Sequence, residues 1–290
     1  MSAALRALLD HVVDYAGLYP PASLDVLTAA RNYVAYRASE DRWMLGRFVV
    51  GVAKLPELRA TIRAMKPVEP AWPVTVVVPD APAATAVLRG PDDATVRIES
   101  VEVRAHNVTD IALVARAADK AREVYVEVPL DATLDTMLDA LVTAKLRAKV
   151  RTGGVTAEAF PSAEAVVRFI RGCIDRNLIF KATAGLHHPL RGSYRLSYDP
   201  KAPSGEMFGF LNVFLASSLM RVGLPDDEAI ALLVESDPST ITIEEHQIRW
   251  RDHAVDIEGI RTTRTKLATT FGSCSFREPV DELPFPVIIG

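Results

Sequence analysis

A chain of 290 residues that is 49% apolar and 24% charged has the composition of a folded globular protein and excludes a disordered one. A formal net charge of −4 excludes a general electrostatic attraction to nucleic acid or to an anionic membrane, although a local basic pocket stays open. The two cysteines, Cys173 and Cys274, are too few for a disulfide framework, lack metal-site spacing and suit a reducing compartment, so a cytoplasmic protein is expected.

The chain begins MSAALRALLDHVVDYAG, with Asp10, His11 and Asp14 inside its apolar stretch. That pattern is an amphipathic helix and not a signal peptide, so residues 1–45 are expected to form an N-terminal helical extension packed on the main domain. No window approaches the roughly 20 apolar residues of a membrane span. Tyr15-Ala16-Gly17-Leu18-Tyr19-Pro20-Pro21 reads as a helix end and rigid turn, suited to lie over a barrel mouth.

Short β-branched runs then alternate with helical stretches. The expected strands are Arg47–Ala53, Val74–Pro79, Val96–Arg104, Glu123–Pro129, Ala148–Thr152 and Ile179–Gly185. The expected helices between them include Leu55–Met65, Asp110–Ala121, Leu134–Lys145 and Ala163–Arg176. His187–Glu206 reads as a long loop, followed by helices Phe208–Val222 and Asp226–Val234. Thr240–Glu244 and Gln247–Trp250 suit a small hairpin, then a helix Ile257–Thr269 leads into a last strand, Thr270–Phe276. Strand–helix alternation calls for parallel pairing, because each helix is the crossover between neighbours. A single (β/α)8 TIM-like barrel over 1–290 is the favoured fold, since no dinucleotide-type glycine turn follows an early strand. An open doubly wound parallel sheet is the alternative.

The charges inside these strands carry the functional signal. Residues two apart on a strand share a face. Lys149 and Arg151 therefore oppose Val150, Lys181 and Thr183 oppose Phe180 and Ala182, and Tyr125 and Glu127 oppose three valines. The apolar members suit the helix layer, so the polar ones should point into the barrel. Unpaired ions there cost several kcal/mol, in the range of a few to tens. Such charges are tolerated when paired or at a wet active-site mouth, and these lie late in their strands, where barrels place chemistry. A buried ion-pair network that only fixes register is the competing explanation. Glu102 and Arg104 join the set if their parity allows, but Glu99 offers the opposite phase.

The loops that follow add candidates. Thr152-Gly153-Gly154 after Arg151 can present backbone N–H groups to a phosphate or carboxylate. After Thr183 come His187 and His188, one of which is expected in the site as general acid or base. Ser273, Ser275 and Arg277, around a small cysteine, suit a second anion-binding turn. Asn212, in an apolar helix, either reaches the site or caps a neighbouring backbone group.

Lys149-Val150-Arg151-Thr152-Gly153, followed 32 positions later by Lys181-Ala182-Thr183-Ala184-Gly185, resembles the two lysine strands of deoxyribose-phosphate aldolase-like class I aldolases. The resemblance implies that Lys149 forms a Schiff base with a substrate carbonyl and that Lys181 helps to depress its pKa. It also implies a loose match of Gly272-Ser273-Cys274-Ser275 to that family's late phosphate-binding turn. A lysine nucleophile must be neutral to attack, and Glu127 or a histidine could shuttle its protons.

The expectation is thus a lyase or aldolase acting through a lysine Schiff base on a small oxygenated or phosphorylated carbonyl compound, an anionic substrate. It needs no cofactor, no metal, no nucleic acid and no membrane, and homo-oligomerisation is a base-rate expectation. One alternative is a metal-dependent barrel lyase or hydrolase using Glu127 with His187 or His188. Another is a non-catalytic barrel binding an anionic metabolite or a partner, favoured if the inward charges prove fully paired.

Overall fold

Eight parallel strands hydrogen-bond side by side until the last pairs with the first, which leaves no free edge. In the computed structural model, which describes residues 1–65, 71–91, 93–118 and 122–283, the first four are β1 (Val13–Tyr15), β2 (Leu45–Gly51), β3 (Trp72–Val78) and β4 (Val96–Arg104). The other four are β5 (Glu123–Glu127), β6 (Arg147–Arg151), β7 (Phe180–Thr183) and β8 (Ala268–Ser273). Helices occupy the connections, and the chain is a (β/α)8 barrel rather than an open sheet.

The closing strand is where the sequence misled. Residues 1–45 are largely helical, as expected of that extension, but the helix read through residues 1–17 stops at Leu9, a second helix spans Val26–Ala38, and Val13–Tyr15 between them is β1. It pairs with β8 on one side and β2 on the other, so this segment is part of the barrel wall and not an extension. Three residues are too few to show a strand period. Only two neighbours make them a strand.

Elsewhere the alternation behaves as its residues dictate. Val74, Val76 and Val78 face the helices while Thr75 and Val77 turn inward, and Phe180 packs outward on Phe169, ring centres 5.2 Å apart. β4 carries an irregularity: Val74 pairs with Ile98 but Thr75 with Ser100, leaving Glu99 as an extra residue. Such a bulge resets the side-chain phase. Glu99 therefore faces the N-terminal end of the barrel beside Arg47, while Ser100, Glu102 and Arg104 take the inward phase above it.

Side chains in the loops cap the helices that follow. Asn107 Oδ1 accepts from the N–H groups of Thr109 and Asp110 ahead of helix Val108–Ala115, and Ser162 Oγ accepts from Ala165 N–H ahead of Ala163–Asp175. The expected end of the first at Ala121 lies outside the described residues. The loop expected over His187–Glu206 contains a hairpin, Gly192–Arg195 against Ser204–Met207. The later hairpin gains a third antiparallel strand, His253–Asp256. Asn212 acts as a backbone cap, accepting from Arg191 N–H and donating to Leu232 and Glu235 carbonyls. Among the described residues no helix is long and apolar enough to cross a membrane.

Candidate active site

Register assembles the site. Arg104 pairs with Glu127, Glu127 with Lys149 and Lys149 with Lys181 across β4 to β7, so four charged side chains meet at one level of the barrel. Lys149 Nζ donates to Glu102 Oε2 at 2.7 Å and lies 3.1 Å from Glu127 Oε2. Lys181 Nζ lies 2.5 Å from Glu102 Oε1 and 2.6 Å from Asp14 Oδ2. Arg151 and Arg104 close on the other Glu127 oxygen at 3.2 and 3.3 Å. Asp14 and Lys181 are 0% and 1% exposed, and the Tyr125 ring lies 5.5 Å from the Lys181 ammonium.

Two of these acids were not assigned to the site from sequence. Glu102 was obscured by the bulge at Glu99. Asp14 lies in a stretch whose pattern predicts a helix, although Val13-Asp14-Tyr15 repeats the apolar–charged–apolar signature of β6 and β7. Because the barrel is staggered, Asp14 stands opposite the start of β2 and near the end of β8.

Opposite charges are interleaved throughout. Burial pushes the Glu102 carboxyl up, yet Lys149 and Lys181 outweigh it and hold it at about 2. Burial likewise pulls the Lys181 ammonium down, but Asp14 and Glu102 more than offset this and keep it above the ordinary lysine range. Lys181 is therefore a fixed cation. Desolvation also works against ionised Glu127, which Lys149 and Arg151 hold below the usual carboxylate range. The network comprises Asp14, Glu102 and Glu127 against Lys149, Lys181, Arg104 and Arg151, one positive charge in excess.

A cavity of about 270 Å3 opens above this network at the C-terminal mouth. Lys149, Glu102, Arg151 and Thr183 form its floor, Val49 and Val77 part of its wall, and Gly154, Ala184 and Gly185 its loop rim. Tyr19, Pro20 and Pro21 also line it, so the early turn does lie over the mouth. The Tyr19 hydroxyl is buried there with no hydrogen-bond partner among the described residues, an orphan donor in the lining of the cavity. Desolvation raises its pKa above the ordinary phenol value, and the Glu102 carboxylate adds to the effect. Lys181 does not line the cavity; it supports Lys149 from behind.

His187 forms one wall, with Nδ1 3.1 Å from Glu278 Oε2, 3.4 Å from Ser273 Oγ and 3.9 Å from Cys274 Sγ. Burial pulls the imidazolium down, but the contacts with Cys274 and Glu278 prevail and hold it at about 10. It stands in the cavity wall as an imidazolium, not a neutral base. His188 turns away: its ring stacks on Tyr194 at 3.5 Å, its Nδ1 meets Glu282, and it lines only an adjoining cavity of about 210 Å3.

Several expected anion ligands serve the fold instead. Thr152 Oγ1 donates to the carbonyls of Ala184 and Thr183, tying the two loops together. Gly153 is packed so tightly against Phe160 and Gly185 that a Cβ there would collide with both. Ser275 Oγ accepts from Glu278 N–H and Arg277 is clamped between Asp41 and Asp281, so neither faces the cavity. Ser273 is buried behind His187, whereas its neighbours Gly272 and Cys274 reach the lining. Small polar residues after a strand suggest anion binding in sequence, but the direction of each side chain is set by the neighbouring loop.

Among the described residues no group of three or more His, Cys, Asp or Glu side chains stands together as a metal site. Glu127 is engaged by three cations and both loop histidines by glutamates, so the ligand set of the metal-dependent alternative is not assembled. No family model and no curated protein matches the chain.

Proposed function

We propose that the chain is a barrel lyase or aldolase acting through an imine on a small carbonyl compound that carries an anionic group. The observation that carries this reading is the placement of Lys149: it is the one lysine among the described lining of the mouth cavity, bracketed by two carboxylates. Its amine must shed a proton before attacking. The neutral amine adds to the carbonyl carbon, and loss of water leaves a protonated imine. Cleavage of the C–C bond between the α and β carbons sends its electron pair into that imine while a base takes the proton of the β-hydroxyl, which becomes the carbonyl of the departing fragment; protonation of the resulting enamine and hydrolysis by water then free the lysine. Lys181, fixed as a cation between Asp14 and Glu102, holds the carboxylate without competing for the carbonyl. Two lysines in unlike surroundings divide the roles. The Tyr19 hydroxyl suits the oxyanion of the carbonyl or carbinolamine, and Arg151 with protonated His187 suits the anionic group.

A second reading, an anion-binding barrel without turnover, is favoured because each inward charge already has an ion-pair partner. Borohydride reduction in the presence of small aldehydes, ketones and 2-oxo acids separates the two. A reduced adduct mapped to Lys149 and absent from Lys149→Ala supports imine chemistry and names the carbonyl class. Ligand-dependent stabilisation of the fold with no adduct across the panel overturns it in favour of the binding protein.

A further inference from the structure

The opposite end of the barrel holds a larger cleft, about 730 Å3, walled by the first helix, the Glu40–Met44 turn and the N-terminal ends of the strands. Its lining includes Arg6, Arg37, Arg42, Arg47, Arg97 and Arg264, against the four carboxylates of Asp10, Asp14, Glu99 and Glu123. In a chain with net charge −4 this is a local reversal of sign. The carboxylates are already engaged: Asp10 by Arg6, Asp14 by Lys181, Glu99 by Arg47 and Arg97, and Glu123 by Arg47 and Arg147. Among the described residues neither Arg42 nor Arg264 forms a direct ion pair, and the Asp10 and Asp14 carboxylates act on Arg264 only at longer range. Arg264 donates only to the carbonyls of Ala268 and Asp10, both at 2.9 Å, and its Nε is buried without an acceptor.

A guanidinium taken out of water, hydrogen-bonded only to carbonyls and reached by the Asp10 and Asp14 carboxylates only at longer range, keeps part of its desolvation cost. An anion in the cleft recovers it. Guanidinium forks match phosphate and carboxylate oxygens, and the concave wall around them concentrates their field. We propose that this N-terminal cleft is a second binding site, separate from the mouth cavity, for a compact polyanion bearing phosphate or clustered carboxylate groups. The exposed Arg42 and the Arg6 guanidinium, 4.5 Å over the Trp43 ring, stand at its entrance. They receive the ligand, and Arg264 sits at its inner wall.

The test is calorimetric titration of the full chain with sodium pyrophosphate and, separately, citrate at matched ionic strength. Saturable one-to-one binding of either is expected, weakened at least tenfold in the Arg6→Gln, Arg42→Glu double variant and unchanged in Arg151→Gln at the other mouth. Unfolding midpoints of both variants near wild type establish that the fold is intact, and Arg42→Gln alone should weaken binding by a smaller factor. Pyrophosphate without citrate assigns the site to phosphorylated ligands, citrate without pyrophosphate to polycarboxylates. No saturable binding of either, equal binding by the double variant, or loss in Arg151→Gln each overturns the proposal.

Discussion

Glu102 Oε1 accepts from Lys181 Nζ at 2.5 Å inside the barrel, and both side chains are buried. The same carboxylate holds Lys149 on its other oxygen, so one buried acid keeps two ammonium groups apart. Replacing it by an amide leaves two buried cations facing a neutral group. Glu102→Gln is expected to destabilise the chain by about 3–5 kcal/mol, the cost of breaking a buried pair on one side. Denaturant unfolding of the variant beside wild type measures it.

The same residue sets an acid limit. A carboxyl held at about 2 rather than 4.5 contributes stability that is present above its ordinary value and is lost as pH falls through about 2. At about 1.4 kcal/mol per pKa unit, the contribution at neutral pH is about 3–4 kcal/mol. The gap in melting temperature between wild type and Glu102→Gln should therefore be widest near pH 7 and close as pH falls from about 4.5 towards 2. A gap that stays constant with pH contradicts the assignment.

Tyr19 offers a separation of stability from function. Its hydroxyl binds nothing in the fold, so Tyr19→Phe should shift unfolding free energy by no more than about 0.5 kcal/mol. If the hydroxyl meets an oxyanion of bound substrate, turnover of a carbonyl compound identified by trapping should fall about 100-fold. Melting curves and steady-state rates on one preparation read both effects.

His187 should not titrate in the physiological range. Its pKa is raised to about 10, so its stabilising contribution is fully present below 6.5 and is lost as pH rises through about 10. Ring resonances in an NMR titration should stay those of the imidazolium from pH 6 to 8. In Glu278→Gln the midpoint should drop by about one unit or more, because one of its stabilising contacts is gone.

Gly153 tests the packing role assigned to the loop after β6. A methyl group there meets the Phe160 ring and the Gly185 backbone, so Gly153→Ala should cost about 1–3 kcal/mol by overpacking. Gly154→Ala, whose added carbon meets only the Ala159 side chain, should cost less. Chemical unfolding of the two variants gives the comparison.

By itself the sequence determined the barrel's repeating parts. The period-two alternation in Val124–Glu127, Ala148–Arg151 and Phe180–Thr183 assigns each side chain a face, because a strand next to an apolar helix layer has only two faces to offer. It thereby named Glu127, Lys149, Arg151 and Lys181 as inward-facing. Tertiary structure alone decided what those charges meet. Val13–Tyr15 becomes a strand only through pairing with β2 and β8, and that pairing delivers Asp14 to Lys181 across 167 positions of chain. The extra residue in β4 is legible only against β3, and it decides that Glu102 rather than Glu99 lies under the lysines. The loops followed the same division. Nothing local distinguishes Thr152 tying two backbones together from Thr152 facing an anion, because a hydroxyl's partner is chosen by whichever segment folds against it.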